Sequence, residues 1–166
     1  MELHNIHYLD ASVLVKLAVK EDGSDVVEEY MTREYTSAFK TTSLCFVEAL
    51  GVLKSKYVNQ HRLDCIDGET YFTGVDELMG YVRRSGPIEL VDVSITDSAV
   101  FAEVEEIARL YSLDVVDAYQ IVSVQRDYFS RFPEARPILI TTDKGLAKAA
   151  RAKGLRVWNC MKEKAP

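Results

Sequence analysis

Hydrophobic residues change period repeatedly along the chain. Short runs rich in apolar and β-branched residues, NIHYL at 5–9 and PILIT at 137–141, predict buried strands. Segments 36–41, IELVDV at 88–93 and LRVWN at 155–159 predict three more. Between them the apolar positions recur at helical spacing, which predicts helices over 11–20, near 24–34, 43–57, within 64–85, 95–111, 115–128 and 144–153. Gly86-Pro87 stops the fourth of these and Gly154 the last. Strands alternating with helices predict an α/β fold with a parallel sheet covered on both faces. Ligands of such sheets lie at the carboxyl ends of the strands. No linker, repeat or low-complexity stretch divides the chain, so residues 1–166 read as one domain, a length that suits one core.

The polar residues expected at that edge are acids. Asp10 directly follows the strand at 5–9, and Asp143 follows the strand at 137–141 after Thr142. Both fall where a helix begins, so capping alone accounts for either one taken singly. Glu48 is harder to explain by capping. It is the only charge between Lys40 and Lys54. On a helix Leu44, Val47, Glu48 and Leu50 lie near one face, which sets Glu48 against the apolar stripe. A buried carboxylate needs a cation, a hydrogen-bond network or a proton. In YSLDVVDAYQIVSV at 111–124, Asp114 can cap a helix and Asp117 takes its third position, where a capping-box acid would sit. The nearly charge-free segment after Asp117 reads as buried. Asp117 is therefore the choice and Asp114 the reserve.

Asp10, Glu48, Asp117 and Asp143 come from separate elements, and an all-oxygen donor set suits a hard divalent cation such as Mg²⁺. Such an ion activates water and neutralises phosphate charge. Convergent acids also raise one another's pKa, and Glu48, with its apolar neighbours, is the expected proton holder. Ser12 and Thr141 are expected to orient the acids, or to cap helices.

The net charge of −6 is unusual for a nucleic-acid binder. Setting the four acids aside leaves 22 acidic against 20 basic residues, so charge decides nothing here. Lys16, Lys40, Lys144 and Lys148 are candidates for phosphate contact, with solvated surface charge the plainer reading. Tyr71-Phe72, Tyr128-Phe129 and Trp158 offer base-stacking surfaces, with core or interface packing the plainer reading. His4, His7 and His61 pair with no nucleophile motif. Cys45, Cys65 and Cys160 lack metal-binding spacing and read as ordinary thiols. No apolar run is long enough to span a membrane and the start does not resemble a signal peptide, so a cytoplasmic location is expected.

Four segments, in order, resemble the motifs of the PIN-domain family of nucleases, most closely the toxin component of prokaryotic toxin–antitoxin pairs. YLDASVLVKL carries Asp10 and Ser12, SLCFVEAL carries Glu48, LDVVDAYQIVS carries the pair Asp117-Ala118, and LITTDKGLAKAARAKGLRV carries Thr141 and Asp143. The resemblance implies a three-layer α/β/α domain with a central, mainly parallel sheet and Mg²⁺- or Mn²⁺-dependent cleavage of RNA. It also implies a homodimer and a partner antitoxin. The stretch between Glu48 and Asp117 is longer than in compact toxin-like members. A receiver domain would pair two acids near its first strand, and a haloacid-dehalogenase-type phosphatase needs Asp-x-Asp where this chain has Asp10-Ala11-Ser12. The remaining alternative is a catalytically silent PIN-like binding or scaffold module, which has no need of all four acids.

Overall fold

A computed structural model describes residues 5–131 and 137–166, without the side chains of 128–131. Its elements run β1 (Ile6–Leu9), α1 (Ala11–Ala18), α2 (Ser24–Arg33), β2 (Ala38–Thr41), α3 (Ser43–Val58), α4 (Gly68–Val82) and β3 (Ile88–Leu90). They continue with α5 (Ser98–Tyr111), α6 (Val115–Arg131), β4 (Ile138–Thr141), α7 (Lys144–Ala152) and β5 (Arg156–Asn159). The five strands form one sheet in the order β3-β2-β1-β4-β5, and every pairing is parallel.

Strand side chains alternate between two cores. Ile6 and Tyr8 of β1, with Leu139 of β4, face Val104 and Ile107 of α5, Ile121 of α6 and Leu146 of α7. Leu9, Ile138 and Ile140 face the opposite way, onto Leu14 of α1, Val27 of α2, Leu53 of α3 and Leu78 of α4. The result is the expected three-layer α/β/α arrangement. His7 belongs to the second core. It is fully buried, stacks on Phe39 and shares a hydrogen bond of 2.9 Å with Tyr30. Burial lowers its pKa to about 4, so it is a neutral packing residue.

Several boundaries differ from the sequence expectation, three of them with a visible cause. The strand at 88–93 stops at Leu90, because β3 pairs only with β2, and β2 ends at Thr41. Asp92 turns instead to Ser43, accepting a hydrogen bond of 2.9 Å from its backbone N–H at the start of α3. The helix expected within 64–85 begins at Gly68, where Asp67 caps the Thr70 N–H. That expected from 95 begins at Ser98, capped by Asp97. Gly154 ends α7 as anticipated. It adopts φ +85°, and the N–H groups of Gly154 and Leu155 close back on Arg151 and Ala150.

The strand order places a switch point between β1 and β4, since the chain leaves β1 toward β2 on one side and reaches β4 on the other. Asp10 and Asp143 follow the two strands that border it. No described helix is long and apolar enough to cross a membrane.

Candidate active site

Asp10 is 4% exposed, and its two oxygens have different partners. Oδ1 accepts the Ala11 N–H at 2.7 Å, which caps α1. Oδ2 accepts the hydroxyls of Ser12 at 2.6 Å and Thr141 at 2.8 Å. The two hydroxyls are themselves fixed: the Thr142 N–H donates to Ser12 Oγ and the Asp143 N–H to Thr141 Oγ1. Ser12 and Thr141 thus tie the ends of β1 and β4 together through one carboxylate. Asp10 is doubly anchored, and burial still raises its pKa against these hydrogen bonds.

The other acids reach the same place from helices. Asp143 caps α7 through Oδ1, which accepts the Leu146 N–H at 2.7 Å. Asp114 accepts the Asp117 N–H at 2.8 Å and so caps α6. Asp117 sits in the capping-box position, but its carboxylate accepts no hydrogen bond among the described residues. Glu48 likewise has none. It lies at the edge of the buried stripe Cys45, Ala49 and Leu53 of α3. The apolar stripe expected beside Glu48 was Leu44, Val47 and Leu50; the buried residues are instead these three, and Val47 is 61% exposed.

These five acids line one open cleft of about 380 Å³. Their mutual field is visible in their acidity. Burial, then the charges of Asp10, Asp114, Asp143 and Glu48, pushes Asp117 up to about 7. Burial, then Asp10 and Asp114, raises Glu48 as well. Glu48 was the expected proton holder. Asp117 is pushed toward neutrality as well, by burial first and by the four neighbouring carboxylates second.

All these donors are carboxylate oxygens, which fits a hard divalent cation. Among the described residues no three acidic, His or Cys side chains converge closely enough to hold one as they stand. The fit is therefore one of donor chemistry and charge. Glu48 and Asp117, without hydrogen-bond partners, are the two acids able to turn.

A family model for the PIN domain matches residues 7–152, which include all four motif acids. The chain belongs to the PIN domain family. No curated protein sequence matches it. Its fold is similar to those of three solved proteins. PAE2754 from Pyrobaculum aerophilum is 19% identical, with 93% of this chain and 91% of that one covered and a TM-score of 0.56. FitAcB from Neisseria gonorrhoeae is 15% identical, with coverage of 95% and 99% and a TM-score of 0.57. VapBC2 from Rickettsia felis, bound to a DNA fragment from their promoter, is 14% identical, with coverage of 92% and 97% and a TM-score of 0.55.

Two lysines considered for phosphate contact in this PIN domain are otherwise engaged. Lys40 is buried and ion-paired with Asp127 at 2.9 Å, and Lys16 is buried against Glu21 at 2.8 Å. Lys144 and Lys148 are exposed. Trp158 is core, against Tyr30, and Tyr71 stacks on Tyr57, whereas Phe72 is 62% exposed. His4 and the side chains of Tyr128 and Phe129 lie outside the described residues. The cleft also has basic members that sequence reasoning missed, Lys56 and Arg62. For Lys56 a signal existed. It follows Glu48 and Val52 at four-residue steps on α3, so the three share the face that lines the cleft.

Proposed function

We propose that this PIN domain is a Mg²⁺- or Mn²⁺-dependent endoribonuclease that hydrolyses RNA phosphodiester bonds, and that it acts as the toxin of a toxin–antitoxin pair. The observation that carries the reading is the gathering of five carboxylates along one cleft at the switch point, where burial and then the neighbouring acids push Asp117 up to about 7. Such crowding raises free energy in the isolated protein and is relieved by a divalent cation. Asp10, Glu48, Asp117 and Asp143 would hold the metal. When bound, it would supply Lewis acidity toward water and toward a phosphodiester oxygen.

The chain's own residues divide the remaining work. Ser12 and Thr141 fix the Asp10 carboxylate so that its position costs nothing at the moment of reaction. The N–H of Leu146 holds one oxygen of Asp143 and leaves the other for the cleft. Glu48 and Asp117 supply the adjustable ligands. The toxin role, a partner antitoxin and a homodimer rest on the family resemblance and on the likeness of fold.

Cleavage of single-stranded RNA with Mg²⁺, and its loss in EDTA, tests the activity. Asp10→Asn, Glu48→Gln, Asp117→Asn and Asp143→Asn should each lower the rate by roughly 10²-fold or more. Asp114→Asn should stay within a few-fold of the parent, since Asn caps a helix nearly as well as Asp. Full activity in Asp117→Asn with loss in Asp114→Asn would reverse their roles. A folded protein that cleaves no RNA in Mg²⁺ or Mn²⁺ would leave the silent binding module as the reading.

A further inference from the structure

The cleft that holds the acids has a second, basic end. Lys56, near the close of α3, is 4% exposed, and its Nζ donates to Glu21 at 2.8 Å and to Asp64. Glu21 also accepts from Lys16 at 2.8 Å, so two buried lysines grip one carboxylate. Burial works to raise the Glu21 pKa, and the two lysines outweigh it. Asp64 in turn accepts Nε and Nη2 of Arg62 at 2.8 and 2.9 Å. Arg62 and Asp64 lie between α3 and α4.

The charges of this network do not cancel. Lys16, Lys56 and Arg62 face Glu21 and Asp64, leaving one positive charge in excess. Arg62 and Asp64 are its outer members, with side chains 39% and 45% exposed. Asp64 uses two of the five N–H groups of Arg62, and the other three are committed to nothing among the described residues. A guanidinium already held in one orientation loses little entropy on binding, and its fork matches a phosphate. The pairs of Lys16 and Lys56 with Glu21 are largely buried, and such pairs seldom repay their desolvation in stability, so stability alone is a weak reason for them. A polyanion entering a cleft that is otherwise acidic needs an attractive anchor beside the acids.

We propose that Arg62, oriented by Asp64 and backed by Lys56, binds a backbone phosphate of the RNA strand adjacent to the scissile bond. This assignment rests on the ribonuclease reading above. It makes Arg62 a positioning residue, reached by substrate but not by the reacting atoms.

Two measurements on the full chain test it, with Arg62→Gln, Arg62→Lys and the parent compared after thermal melts confirm equal folding. The first is steady-state cleavage of a single-stranded RNA in Mg²⁺. The second is fluorescence anisotropy of a labelled RNA of about 12 nucleotides in Ca²⁺, with the strand checked intact by gel. Arg62→Gln should lower kcat/KM about tenfold, chiefly through KM, and weaken binding by a similar factor. Its log Kd should depend less steeply on log salt, by about 0.7, as expected for one lost phosphate contact on a single strand. Arg62→Lys should recover part of both. Parent-like KM, Kd and salt slope in Arg62→Gln would overturn the proposal. Arg62-dependent binding without cleavage by the parent would uphold the phosphate site and refute the ribonuclease reading. Neither binding nor cleavage by the parent would overturn both.

Discussion

Capping and a place at the cleft coexist in Asp10. One oxygen caps α1, while the other is gripped by two hydroxyls at the edge of the cleft. The sequence offered these as alternatives, but a carboxylate has two oxygens and a strand end is also a helix start. Asp143 is similar, with Oδ1 as the cap. Asp117 differs, since the cap of α6 is Asp114 and the Asp117 carboxylate is left facing other acids. This has a pH signature. The folded pKa of Asp117, about 7, lies above the unfolded value, so the protonated form is favoured by the fold. The stability it contributes is fully present below about pH 3.8 and is lost as pH rises through 7. Asp117→Asn does not titrate. In EDTA it should melt above the parent at pH 8, by on the order of 5 °C for about 2 kcal/mol after solvent screening of this half-buried group. The gap should close toward pH 4. A gap of equal size at both pH values would show that Asp117 is not the group whose pKa the fold raises.

At the scale of elements, α3 and α1 bring Glu48 and Asp10 together, and α4 braces both from outside. Gly74 of α4 makes that contact possible. A Cβ there would meet Val19 Cγ1 at 2.9 Å and the Ala18 carbonyl oxygen at 3.1 Å. Gly51, on the exposed side of α3, has nothing within 4 Å of such a Cβ. Both glycines sit in helices, where Ala is intrinsically better by roughly 0.5–1 kcal/mol. Gly51→Ala should therefore raise the melting temperature by a few degrees. Gly74→Ala should lower it, since overpacking typically costs about 1–3 kcal/mol and one neighbour is backbone. Paired melts check this, and an increase in both would mean that α4 sits loosely.

Elements of this kind were legible because their signals are local. The apolar period located every strand and helix, and the acids closing β1 and β4 followed directly from strand ends. What stayed hidden depends on distant partners. Residues 64–67 look helical by period, yet Asp64 is drawn out of α4 by Lys56 and Arg62. Lys16 and Lys40 look like surface charges but are buried by partners 5 and 87 residues away. At the basic end of the cleft the step of four residues places Lys56 on the face of Glu48, but its pairing with Glu21, 35 residues away, had no local signal.

For the whole molecule, the same acids couple the site to global stability. Four carboxylates drawn from both helical layers line one cleft at the ends of β1 and β4, so a cation bound among them would clasp the two layers together. The unfolded chain scatters these acids over positions 10–143 and offers no comparable site. Metal should therefore stabilise by mass action. At a concentration about 100 times its Kd the gain is roughly 2.7 kcal/mol, on the order of 5–10 °C for a chain of this length. Asp10→Asn keeps a helix-capping side chain but loses the anchored charge. It should melt at or above the parent in EDTA, where repulsion is relieved, and below the parent in millimolar Mg²⁺, where a ligand is missing. A capping-only role for Asp10 predicts two metal-independent melts that differ by at most a small amount. The crossing of the two curves along a Mg²⁺ series is thus specific to a shared metal site and needs no substrate. Superimposable melts with and without Mg²⁺ in both proteins would remove the metal from the proposed function, whatever the arrangement of the acids.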